Sequence, residues 1–528
     1  MRRLFLLIST LSLASIAVGA SFYRPTLWIL TAVGPLCLLG YWDILQKKHA
    51  ILRNFPLLGH FRYLFELVRP EINQYFVESN TDGRPFSREQ RSIVYQRAKQ
   101  QLQTLPFGTQ QDVYEEGYQW LAHSMAPVHV DPKDLRVTIG EGQCTHPYSA
   151  SLLNISAMSY GSLSAHAILA LNGGARMGGF AHNTGEGGIS PYHVREGGDL
   201  IWQIGTGYFG CRTPDGSFDP ETFAENAARP SVKMIEIKLS QGAKPGHGGI
   251  LPAKKLTPEI AAIRGVPLGQ DVLSPPAHSA FTTPRGLIRF ATRLRELSGG
   301  KPVGIKLCVG RRHEFVALCK AMVSEGSWLD YVAVDGGEGG TGAAPLEFSN
   351  HFGNPLSEGL FLVHNALVGF GLRDKVRVIA SGRIIEGFDI VHKLAIGADL
   401  CYSARAMMFA LGCIQALRCN ANVCPTGVAT QDPELVKGLD VGDKRVRVCR
   451  FHGETLNSTA ELLGAMGLHH SSDVGPWHVL RRTSPVKVHT LADLHDYVAP
   501  GAFLGDDLPA VYRDIIRSAS PDTFSYQR

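Results

Sequence analysis

Eight short apolar runs constrain the fold of this chain more than any other feature of its sequence. Each run is rich in β-branched or aromatic residues, and longer stretches of helical character separate one run from the next. Strands that alternate with helices predict parallel pairing through crossovers, and eight such units are the number that closes a (β/α)8 TIM barrel. The runs are Leu152–Ala157, Phe180–Asn183, Leu200–Ile204, Met234–Leu239, Pro302–Leu307, Tyr331–Val334, Val376–Ala380 and Ala398–Tyr402.

Glycine-rich or polar turns follow several of these runs. They read SAMSYG, NTGEGG, GTGYFG, QGAKPGHGG, DGGEGGTG and ASGR. Glycine lets a backbone approach a ligand closely, and the active sites of barrels lie at the C-terminal ends of the strands. A long segment from Gln241 to Thr283 follows the fourth run, and we interpret it as a lid or substrate loop. The sequence thus predicts a ligand site at this end of the barrel.

Composition argues against two other classes of protein. The net charge is only +5, from 52 basic and 47 acidic residues, and no basic run carries interleaved aromatic residues. This is not the pattern of a nucleic-acid-binding protein. Ten cysteines in 528 residues do not form a small disulfide scaffold. The histidines show no metal-binding spacing such as H-E-x-x-H.

Two uncharged apolar stretches, Leu4–Tyr23 and Pro25–Trp42, stand at the start of the chain. Each is long enough, or nearly so, to cross a hydrocarbon core of about 30 Å as a helix. Arginines precede the first stretch, and Lys47, Lys48 and Arg53 follow the second. The positive-inside rule then predicts a transmembrane hairpin over residues 1–50, with both ends and the catalytic domain in the cytoplasm.

A cleaved signal peptide is the alternative, with a cleavage site after Val18-Gly19-Ala20. The second apolar stretch favours the hairpin, because a secreted enzyme would not need it. A mature chain that starts near Ser21 would exclude the hairpin.

The rest of the chain divides into three predicted segments. Residues 51–149 form a helical lead-in, since Ser87–Leu102 carries charge at helical spacing. Residues 150–435 contain the barrel, and residues 436–528 form a C-terminal extension that we expect to pack on it.

Cys413, Cys419 and Cys424 lie close together in the pattern C-x5-C-x4-C. A closed structural zinc site needs four ligands, so three cysteines do not make one. Three thiolates can hold an iron–sulfur cluster with one cysteine fewer than the usual four. The pattern therefore predicts an iron–sulfur site, and three incidental thiols are the alternative.

Small and polar residues follow the last three strands, where barrels tend to bind phosphate through backbone N–H groups. No G-x-G-x-x-G turn follows the first strand, so the sequence predicts no separate dinucleotide-binding domain. Taken singly, each turn is a weak signal, because most glycine turns are only turns. The positions are Gly336 and Gly337, then Ser381, Gly382 and Arg383, then Ser403, Ala404 and Arg405.

Three charged residues stand at or near strand ends. Lys238 and Lys306 end the fourth and fifth runs, where a lysine can stabilise negative charge on a reduced cofactor or hold a carboxylate. A lysine that reaches solvent at the rim is the alternative. Glu186 lies between glycines in NTGEGG, which leaves it open to a ligand and suits it to proton transfer. An ordinary turn residue is the alternative for Glu186.

Six motifs resemble the synthase domain of glutamate synthase and keep that family's order between about residues 150 and 435. They are MSYGSLS (Met158–Ser164), HNTGEGG (His182–Gly188), EIKLSQGAKPGHGG (Glu236–Gly249), LSPPAH (Leu273–His278), DGGEGGTGAAP (Asp335–Pro345) and CIQALRCNANVCPTGVATQD (Cys413–Asp432). The resemblance implies an FMN in a (β/α)8 barrel and a [3Fe-4S] cluster held by Cys413, Cys419 and Cys424.

The resemblance also implies where an FMN would lie. Its expected contacts include the backbone after the first strand, two side chains in the barrel mouth and the turns after the last three strands. They are Ala157, Met158, Ser159, Gln203 and Lys238, with the phosphate near Gly336, Gly337, Ser381, Gly382, Arg383, Ser403 and Ala404.

The chain departs from the family pattern near the substrate. The family usually reads GRFG where this chain has Gly207–Gly210, GEGGQ where it has Gly246–Ile250, and PPHHD where it has Pro276–Ala280. A lost arginine and a lost glutamine weaken the case for 2-oxoglutarate, because a dicarboxylate needs a cationic fork. Lys244 and Tyr208 are the remaining candidate substrate residues.

Three hypotheses for the function follow. In the first, electrons from ferredoxin or a reductase subunit pass the cluster to FMN, and a hydride reduces an imine, as when 2-iminoglutarate becomes glutamate. In the second, the same cofactors serve a different amino or 2-oxo acid and exchange electrons with a membrane partner. In the third, the barrel is a non-enzymatic membrane scaffold, which the intact cysteine triplet argues against.

Overall fold

The computed structural model of this chain describes residues 1–101 and 104–527. They form two compact units, Met1–Arg88 and Glu89–Arg528. The predicted helix Ser87–Leu102 is observed over Arg88–Lys99, and Leu102 lies outside the described residues.

The first unit is helical. Its elements are the helix Arg2–Phe22, the 3₁₀ turn Arg24–Ile29, the helices Leu30–Leu45, Ala50–Asn54 and Gly59–Ile72, and the π-helical turn Asn73–Val77. Arg2–Phe22 and the continuous stretch Arg24–Leu45 are each long and apolar enough to cross a membrane. A signal sequence near an N-terminus has the same length and composition, so these two helices are compatible with either interpretation.

Eight parallel strands close into a barrel in the second unit, which confirms the fold predicted from the apolar runs. Strand β8 pairs in parallel with β1, with Cys401 opposite Leu153 and Ser403 opposite Ile155, so the sheet has no open edge. The strands are β1 (Leu153–Ile155), β2 (His182–Asn183), β3 (Leu200–Ile204), β4 (Val232–Lys238), β5 (Val303–Leu307), β6 (Tyr331–Asp335), β7 (Arg377–Ser381) and β8 (Leu400–Ser403).

Crossover helices follow the strands, and local sequence fixes their ends. Ser164 accepts a hydrogen bond from the Ala167 N–H at the start of the first of them, and left-handed Gly179 ends it. They are α1 (Ala165–Gly178), α2 (Pro191–Arg195), α3 (Pro220–Ala227), α4 (Pro284–Leu297), α5 (Arg312–Glu325), α6 (Leu356–Gly369), α7 (Gly387–Ile396) and α8 (Val441–Ala465). Shorter helices lie at Pro258–Arg264, Leu346–His351, Arg405–Ala410 and Pro433–Val436.

Among the described residues of the segment before the barrel, the last α-helix ends at Lys99, and a 3₁₀ turn lies at Pro132–Asp134. After that helix come a short strand, Gln119–Leu121, and an antiparallel pair, Arg136–Ile139 with Tyr148–Ser151. The α-helices of residues 51–149 therefore lie in the first half of that segment, and the strands lie in its second half. Alternating residues such as RVTI in the second half favour strands, since one side of each strand is more buried than the other.

The segment after α8 forms an antiparallel hairpin, Val479–Ser484 with Lys487–Thr490, and two helices, Leu491–Leu494 and Ala510–Arg517. It contacts the barrel helix α6. Phe503 packs edge-on against Phe370 at 5.5 Å between ring centroids, and Asn365 Nδ2 donates to the Tyr512 hydroxyl at 2.7 Å.

Candidate active site at the C-terminal ends of the strands

Four charged side chains meet where β2 and β4 end. Lys238 Nζ donates to Glu186 Oε1 at 2.8 Å, and Lys244 and Arg264 lie close enough to influence the same carboxylate. All three cations are buried, with 8%, 3% and 5% of the residue exposed respectively. We call Lys238, Lys244, Arg264 and Glu186 the cationic cluster, because three buried positive charges face one negative charge.

The protonation of this cluster follows from its geometry. Burial acts to raise the pKa of Glu186, but Lys238, Lys244 and Arg264 outweigh burial and hold that pKa below its usual value. Glu186 is therefore an anion at neutral pH. Burial and the charge of Lys238 lower the pKa of Lys244 to about 8, against the opposing effect of Glu186. Burial also lowers the pKa of Arg264 to about 10.

Glycines make room for Glu186. A Cβ atom at Gly205 would come within 2.7 Å of the Glu186 side chain, and one at Gly249 within 2.6 Å of its Oε1. Real Cβ atoms do not approach so closely, so this carboxylate can reach Lys238 only because glycine stands at both positions. Two of the glycine turns noted in the sequence thus serve to pack one acidic side chain.

Sequence reasoning missed Arg264. It is the last residue of helix Pro258–Arg264, inside the segment predicted to be a lid or substrate loop. Its Nη2 donates to the Tyr160 carbonyl at 3.2 Å, and its guanidinium lies 5.1 Å from the centre of the Phe209 ring. Its Nε has no hydrogen-bond partner among the residues that the structure describes. This cation is therefore held in place through Nη2, and its buried Nε–H donor is unused among the described residues.

The insertion that carries Lys244 and Arg264 is a folded structure. Ile250–Leu251 pairs with Val272–Leu273 as a small antiparallel hairpin around the helix Pro258–Arg264. Lys244 Nζ donates to the Gly248 carbonyl at 2.8 Å. The fold of the insertion thereby places Lys244 and Arg264 at the mouth of the barrel.

The backbone after β1 forms another wall of this site. Ala157 and Met158 are half-buried, and Ser159 is buried. Gly185 has a φ of +65°, and a Cβ there would lie 2.7 Å from the Ser159 nitrogen. The loops after β1 and β2 are therefore in close contact, which brings the predicted flavin-binding backbone beside Glu186.

A polar layer fills the barrel below the cationic cluster. Gln203 Nε2 and Asn183 Nδ2 both donate to Glu236 Oε1, at 2.6 and 2.8 Å. Burial raises the pKa of Glu236, and the nearby charge of Lys306 opposes that shift. Lys306 Nζ also lies 3.5 Å from Asp335 Oδ2. The two strand-end lysines, predicted as a similar pair, thus have different partners: Lys238 pairs with Glu186 and Lys306 with Asp335.

Two of the three glycines predicted to lie near the phosphate, Gly336 and Gly337, donate their N–H groups to carbonyls of the protein. The Gly336 N–H donates to the Ser381 carbonyl at 2.9 Å, and the Gly337 N–H donates to the Asn354 carbonyl at 2.8 Å. Ser381 Oγ donates to Asp335 Oδ1 at 2.8 Å, and Ser403 Oγ donates to the Ile384 carbonyl at 2.7 Å. These contacts hold the turns after β6, β7 and β8 together.

Two arginines follow these last strands. Burial and the like charge of Arg383 lower the pKa of Arg405 to about 10, against the opposing effect of Asp335 and Glu338. Arg383 adopts a left-handed φ of +51°, which is uncommon for a residue with a side chain. Gly382 lies before it, and Ala404 precedes the helix that begins at Arg405. The ends of β7 and β8 therefore carry a second positively charged region.

Tyr208 lies inside an aromatic cluster. Its side chain is fully buried against Phe218 and His278, and its φ is +48°. The hydroxyl accepts a hydrogen bond from the Ala280 N–H at 3.1 Å and lies 3.2 Å from His278 Nδ1. Tyr208 therefore supports the insertion that supplies Lys244 and Arg264, and its predicted contact with substrate stays a prediction.

The three cysteines of the C-x5-C-x4-C pattern lie in one loop after β8, and none forms a disulfide. Burial, together with the nearby Cys419 and Cys424, raises the pKa of Cys413 to about 12, so the thiols are near one another. Hydrogen bonds from the Thr426 hydroxyl and from nearby backbone N–H groups lower the pKa of Cys424 despite its burial. In the described ranges, however, no three His, Cys, Asp or Glu side chains are close enough to hold one metal ion.

Neighbouring elements close around this cysteine loop. Lys255 donates to the Ala429 carbonyl at 2.9 Å, and Cys419 and Cys424 act to raise its pKa against the lowering effect of burial. A Cβ at Gly342, in the glycine-rich loop after β6, would come within 3.0 Å of Cys419 Cβ. The cysteine loop therefore packs directly on the loop that follows β6.

The chain matches known proteins over most of its length. A family model described as the conserved region in glutamate synthase matches residues 97–469. The glutamate synthase large subunit-like protein YerD of Bacillus subtilis (strain 168) is 36% identical over 500 residues, which cover 87% of this chain and 94% of YerD.

Other matches cover less or are weaker. The archaeal-type glutamate synthase (NADPH) of Thermotoga neapolitana is 36% identical over 316 residues, which cover 60% of this chain and 59% of that protein. Among solved structures, a flavocytochrome b2 variant with sulfite bound aligns over 90% of this chain with 12% identity and a TM-score of 0.43. The last likeness is too low to support any inference about function.

Proposed function

The chain belongs to the glutamate synthase family, and from this membership we propose that it is an FMN-dependent oxidoreductase that reduces the imine of an anionic 2-oxo acid. The substrates proposed are 2-oxoglutarate and ammonia, and the product is glutamate. A [3Fe-4S] cluster and a reductase or ferredoxin partner would complete the electron path.

The cationic cluster is the observation that carries this proposal. Three buried cations and one carboxylate leave a net positive charge in the mouth of the barrel. A buried charge is costly unless it is paired, so the excess favours an anionic ligand. Arg264 supplies the guanidinium that appeared lost from the GRFG motif, and its unused Nε is free to bond a carboxylate.

Each member of the cluster then has a role toward the substrate. Lys244 and Arg264 bind carboxylate oxygens, and Lys238 holds Glu186 as an anion through their 2.8 Å bond. A carboxylate with a lowered pKa is a weak base and a poor proton donor at neutral pH, but as an anion it accepts a hydrogen bond from ammonium. We therefore assign Glu186 to holding the nitrogen nucleophile, in place of the general proton-transfer role that its sequence position suggested.

The residues present fit an FMN. The close loops after β1 and β2 offer backbone at Ala157–Ser159, the buried Gln203 offers an amide, and Arg383 with Arg405 offers positive charge for a phosphate. FMN, when bound, supplies hydride transfer. Lys306 remains a candidate for stabilising negative charge on the flavin, because it lies near two carboxylates, Glu236 and Asp335, and is not committed to a single close ion pair.

The donor set of the cysteine loop also fits an iron–sulfur cluster. Three thiols share one loop, N–H groups point at Cys424, and the ammonium of Lys255 lies near two of the three cysteines. Hydrogen bonds to sulfur and nearby charge are what tune the potential of such clusters. A [3Fe-4S] cluster, when bound, supplies one-electron transfer.

The two N-terminal apolar helices support a membrane anchor for the enzyme. Basic residues stand before the first helix and after the second, so both ends of a hairpin would face the cytoplasm. A redox partner at the membrane surface is compatible with this placement.

A different 2-oxo acid is the second candidate substrate. The half-buried Ile250, in the hairpin beside Glu186, stands where the family usually has glutamine. An apolar side chain there favours a substrate with less polar surface at that point, while the cationic cluster would still hold its carboxylate.

The test uses the full-length chain, expressed with flavin and iron supply. We expect a flavin absorbance spectrum, and reoxidation of the reduced flavin by 2-oxoglutarate and ammonium together, with neither alone effective. A chain that purifies without flavin under these conditions would contradict the cofactor proposal. If 2-oxoglutarate does not reoxidise the flavin but another 2-oxo acid does, the second candidate substrate is favoured.

A further inference from the structure

The helix Gly59–Ile72, which we call the post-hairpin helix, exposes an apolar face. Phe61, Leu64, Phe65, Val68 and Ile72 recur at helical spacing and lie along one side. In a soluble domain such a side faces the core. Here Phe61 and Phe65 are 56% and 62% exposed, and Leu64 and Ile72 are also exposed.

The side of the post-hairpin helix opposite the apolar face carries polar side chains that form ion-pair and ring contacts. Arg62 and Glu66 form an ion pair at 3.6 Å. The Tyr63 hydroxyl lies 3.3 Å from His49 Nδ1, and the two rings meet edge-on at 5.3 Å. The helix therefore packs through its polar side within its unit and leaves the apolar side uncovered.

A buried carboxylate bonds the start of the post-hairpin helix to the end of the second apolar helix. Asp43, only 1% exposed, lies in the last turn of Leu30–Leu45. Its carboxylate oxygens lie 2.9 and 3.0 Å from His60 Nε2, and it accepts the Leu57 N–H at 3.0 Å. The start of the post-hairpin helix therefore lies beside the end of the second apolar helix. If that helix crosses a membrane, its end lies at the lipid–water boundary.

The charge around the helix suits the same location. Residues 46–77 contain five basic side chains and two acidic ones. Lys47, Lys48 and Arg53, which precede the helix, supply the excess. Amphipathic helices with Phe or Leu on one side lie in the plane of membrane surfaces, and nearby basic residues are attracted to anionic lipid. We propose that the post-hairpin helix lies in the headgroup layer of the bilayer, with Phe61, Leu64, Phe65 and Ile72 inserted, so that the anchor has a third, in-plane element. This inference rests on the membrane anchor proposed above.

Photo-cross-linking tests the proposal on the full-length chain in vesicles of phosphatidylcholine and phosphatidylglycerol. A benzophenone amino acid is placed at Phe65, at Tyr63 or at Leu11. Phe65 and Tyr63 are both aromatic and lie on opposite sides of the same helix, so each controls for the other. Leu11, 57% exposed in the first apolar helix, reports on the anchor itself.

We expect lipid adducts from Leu11 and Phe65, with several-fold less from Tyr63. Lipid adducts from Leu11 but not from Phe65 would overturn the in-plane helix and leave the anchor standing. A Phe65 adduct only to a second copy of the chain, or only to another protein, would also overturn it. An absence of lipid adducts from all three positions would overturn the anchor and the helix together.

Discussion

Lys244 is the member of the cationic cluster whose charge changes nearest to neutral pH. Burial and Lys238 destabilise its ammonium form, while Glu186 stabilises it, and the resulting pKa is about 8. Lys238 lies directly against Glu186, at 2.8 Å, whereas the only hydrogen bond of Lys244 Nζ among the described residues is to the Gly248 carbonyl. Two lysines only six positions apart along the chain thus have different partners: Lys238 pairs with a carboxylate, and Lys244 bonds a backbone carbonyl.

The pH dependence of substrate binding follows from this pKa. Below about 8 Lys244 is charged and binds an anion, and above about 8 it is neutral. We expect KM for the 2-oxo acid to rise as the pH increases through that value. In Lys244→Arg the charge persists, so the rise should disappear. Steady-state kinetics from neutral to alkaline pH measures both, and a wild-type KM that stays flat over this range would contradict the role of Lys244.

Arg264 should contribute more to binding than to turnover. In Arg264→Gln a charge-assisted hydrogen bond worth about 2 kcal/mol is lost, which corresponds to a roughly thirty-fold increase in KM. Arg289→Gln is the matched control, because Arg289 is 67% exposed and pairs with Glu325. Titration of the 2-oxo acid into both variants, followed by the flavin spectrum, measures the effect. Equal affinities in the two variants would rule out the carboxylate role.

Some residues of the cationic cluster could be predicted from the sequence, and one could not. Lys238, Glu186 and Lys244 stand beside strand ends or in glycine turns, and such positions can be read from the sequence. Arg264 lies on a helix of an insertion, with no local pattern that links it to Lys238, and only the folded insertion brings it to the mouth. Tyr208 follows a strand as predicted, but its positive φ and the bond from the Ala280 N–H place it in an aromatic cluster.

At the scale of elements, a buried ion pair joins two strands and a helix at the other end of the barrel. Arg295 of α4 contacts Asp330 Oδ2 through Nε and Nη2 at 3.1 and 3.0 Å, and the Val303 N–H at the start of β5 donates to the same oxygen at 2.7 Å. Asp330 is 1% exposed and lies directly before β6. One carboxylate therefore connects α4, β5 and β6.

Arg295→Ala should be strongly destabilising. It leaves a buried carboxylate without its cation, and breaking such a pair costs about 3–5 kcal/mol. The denaturant midpoint of the detergent-solubilised chain, followed by tryptophan fluorescence, measures the loss. Arg289→Ala on the same helix removes an exposed arginine and should change stability by no more than about 0.5 kcal/mol. A similar small change for Arg295→Ala would show that Asp330 is satisfied by its N–H donors alone.

The cysteine loop carries a second prediction at this scale. Cys419→Ser should abolish the electron-spin signal of the cluster, because it leaves two thiolates in the loop. Cys449→Ser is the matched control, since Cys449 lies on α8 outside the loop and is only partly buried. Iron analysis accompanies the spectra, and the flavin content should be retained. An unchanged signal in Cys419→Ser would show that a cluster, if bound, uses other ligands.

The eight strands were predictable because each combines a short apolar run with a turn signal, and burial on both sides of a parallel strand demands such runs. The lead-in was harder to predict. Its helix Arg88–Lys99 shows helical charge spacing, whereas strands such as Gln119–Leu121 have only three residues and form by pairing with Val479–Ser484, far away in sequence. Pairing partners so distant leave no local signal.

At the scale of the whole molecule, the two N-terminal helices are the feature that separates an anchored enzyme from a secreted one. We expect the full-length chain to sediment with membranes and to resist extraction by alkaline carbonate. N-terminal sequencing of the mature protein should find the chain intact through the first apolar helix. A mature chain that begins near Ser21, recovered in the soluble fraction, would establish the signal-peptide interpretation instead.

The folded insertion after β4 carries candidate substrate residues outside the strands and crossover helices of the barrel. The strands and crossover helices carry the buried core, whereas Lys244, Ile250 and Arg264 all belong to one contiguous stretch of sequence. If these residues bind the substrate as proposed, we expect exchange of that stretch between homologues to change the preferred acid without altering a barrel strand. Under the proposed function, new substrate preferences in this family can then arise from changes in one loop insertion, without changes in the cofactor-binding residues proposed above.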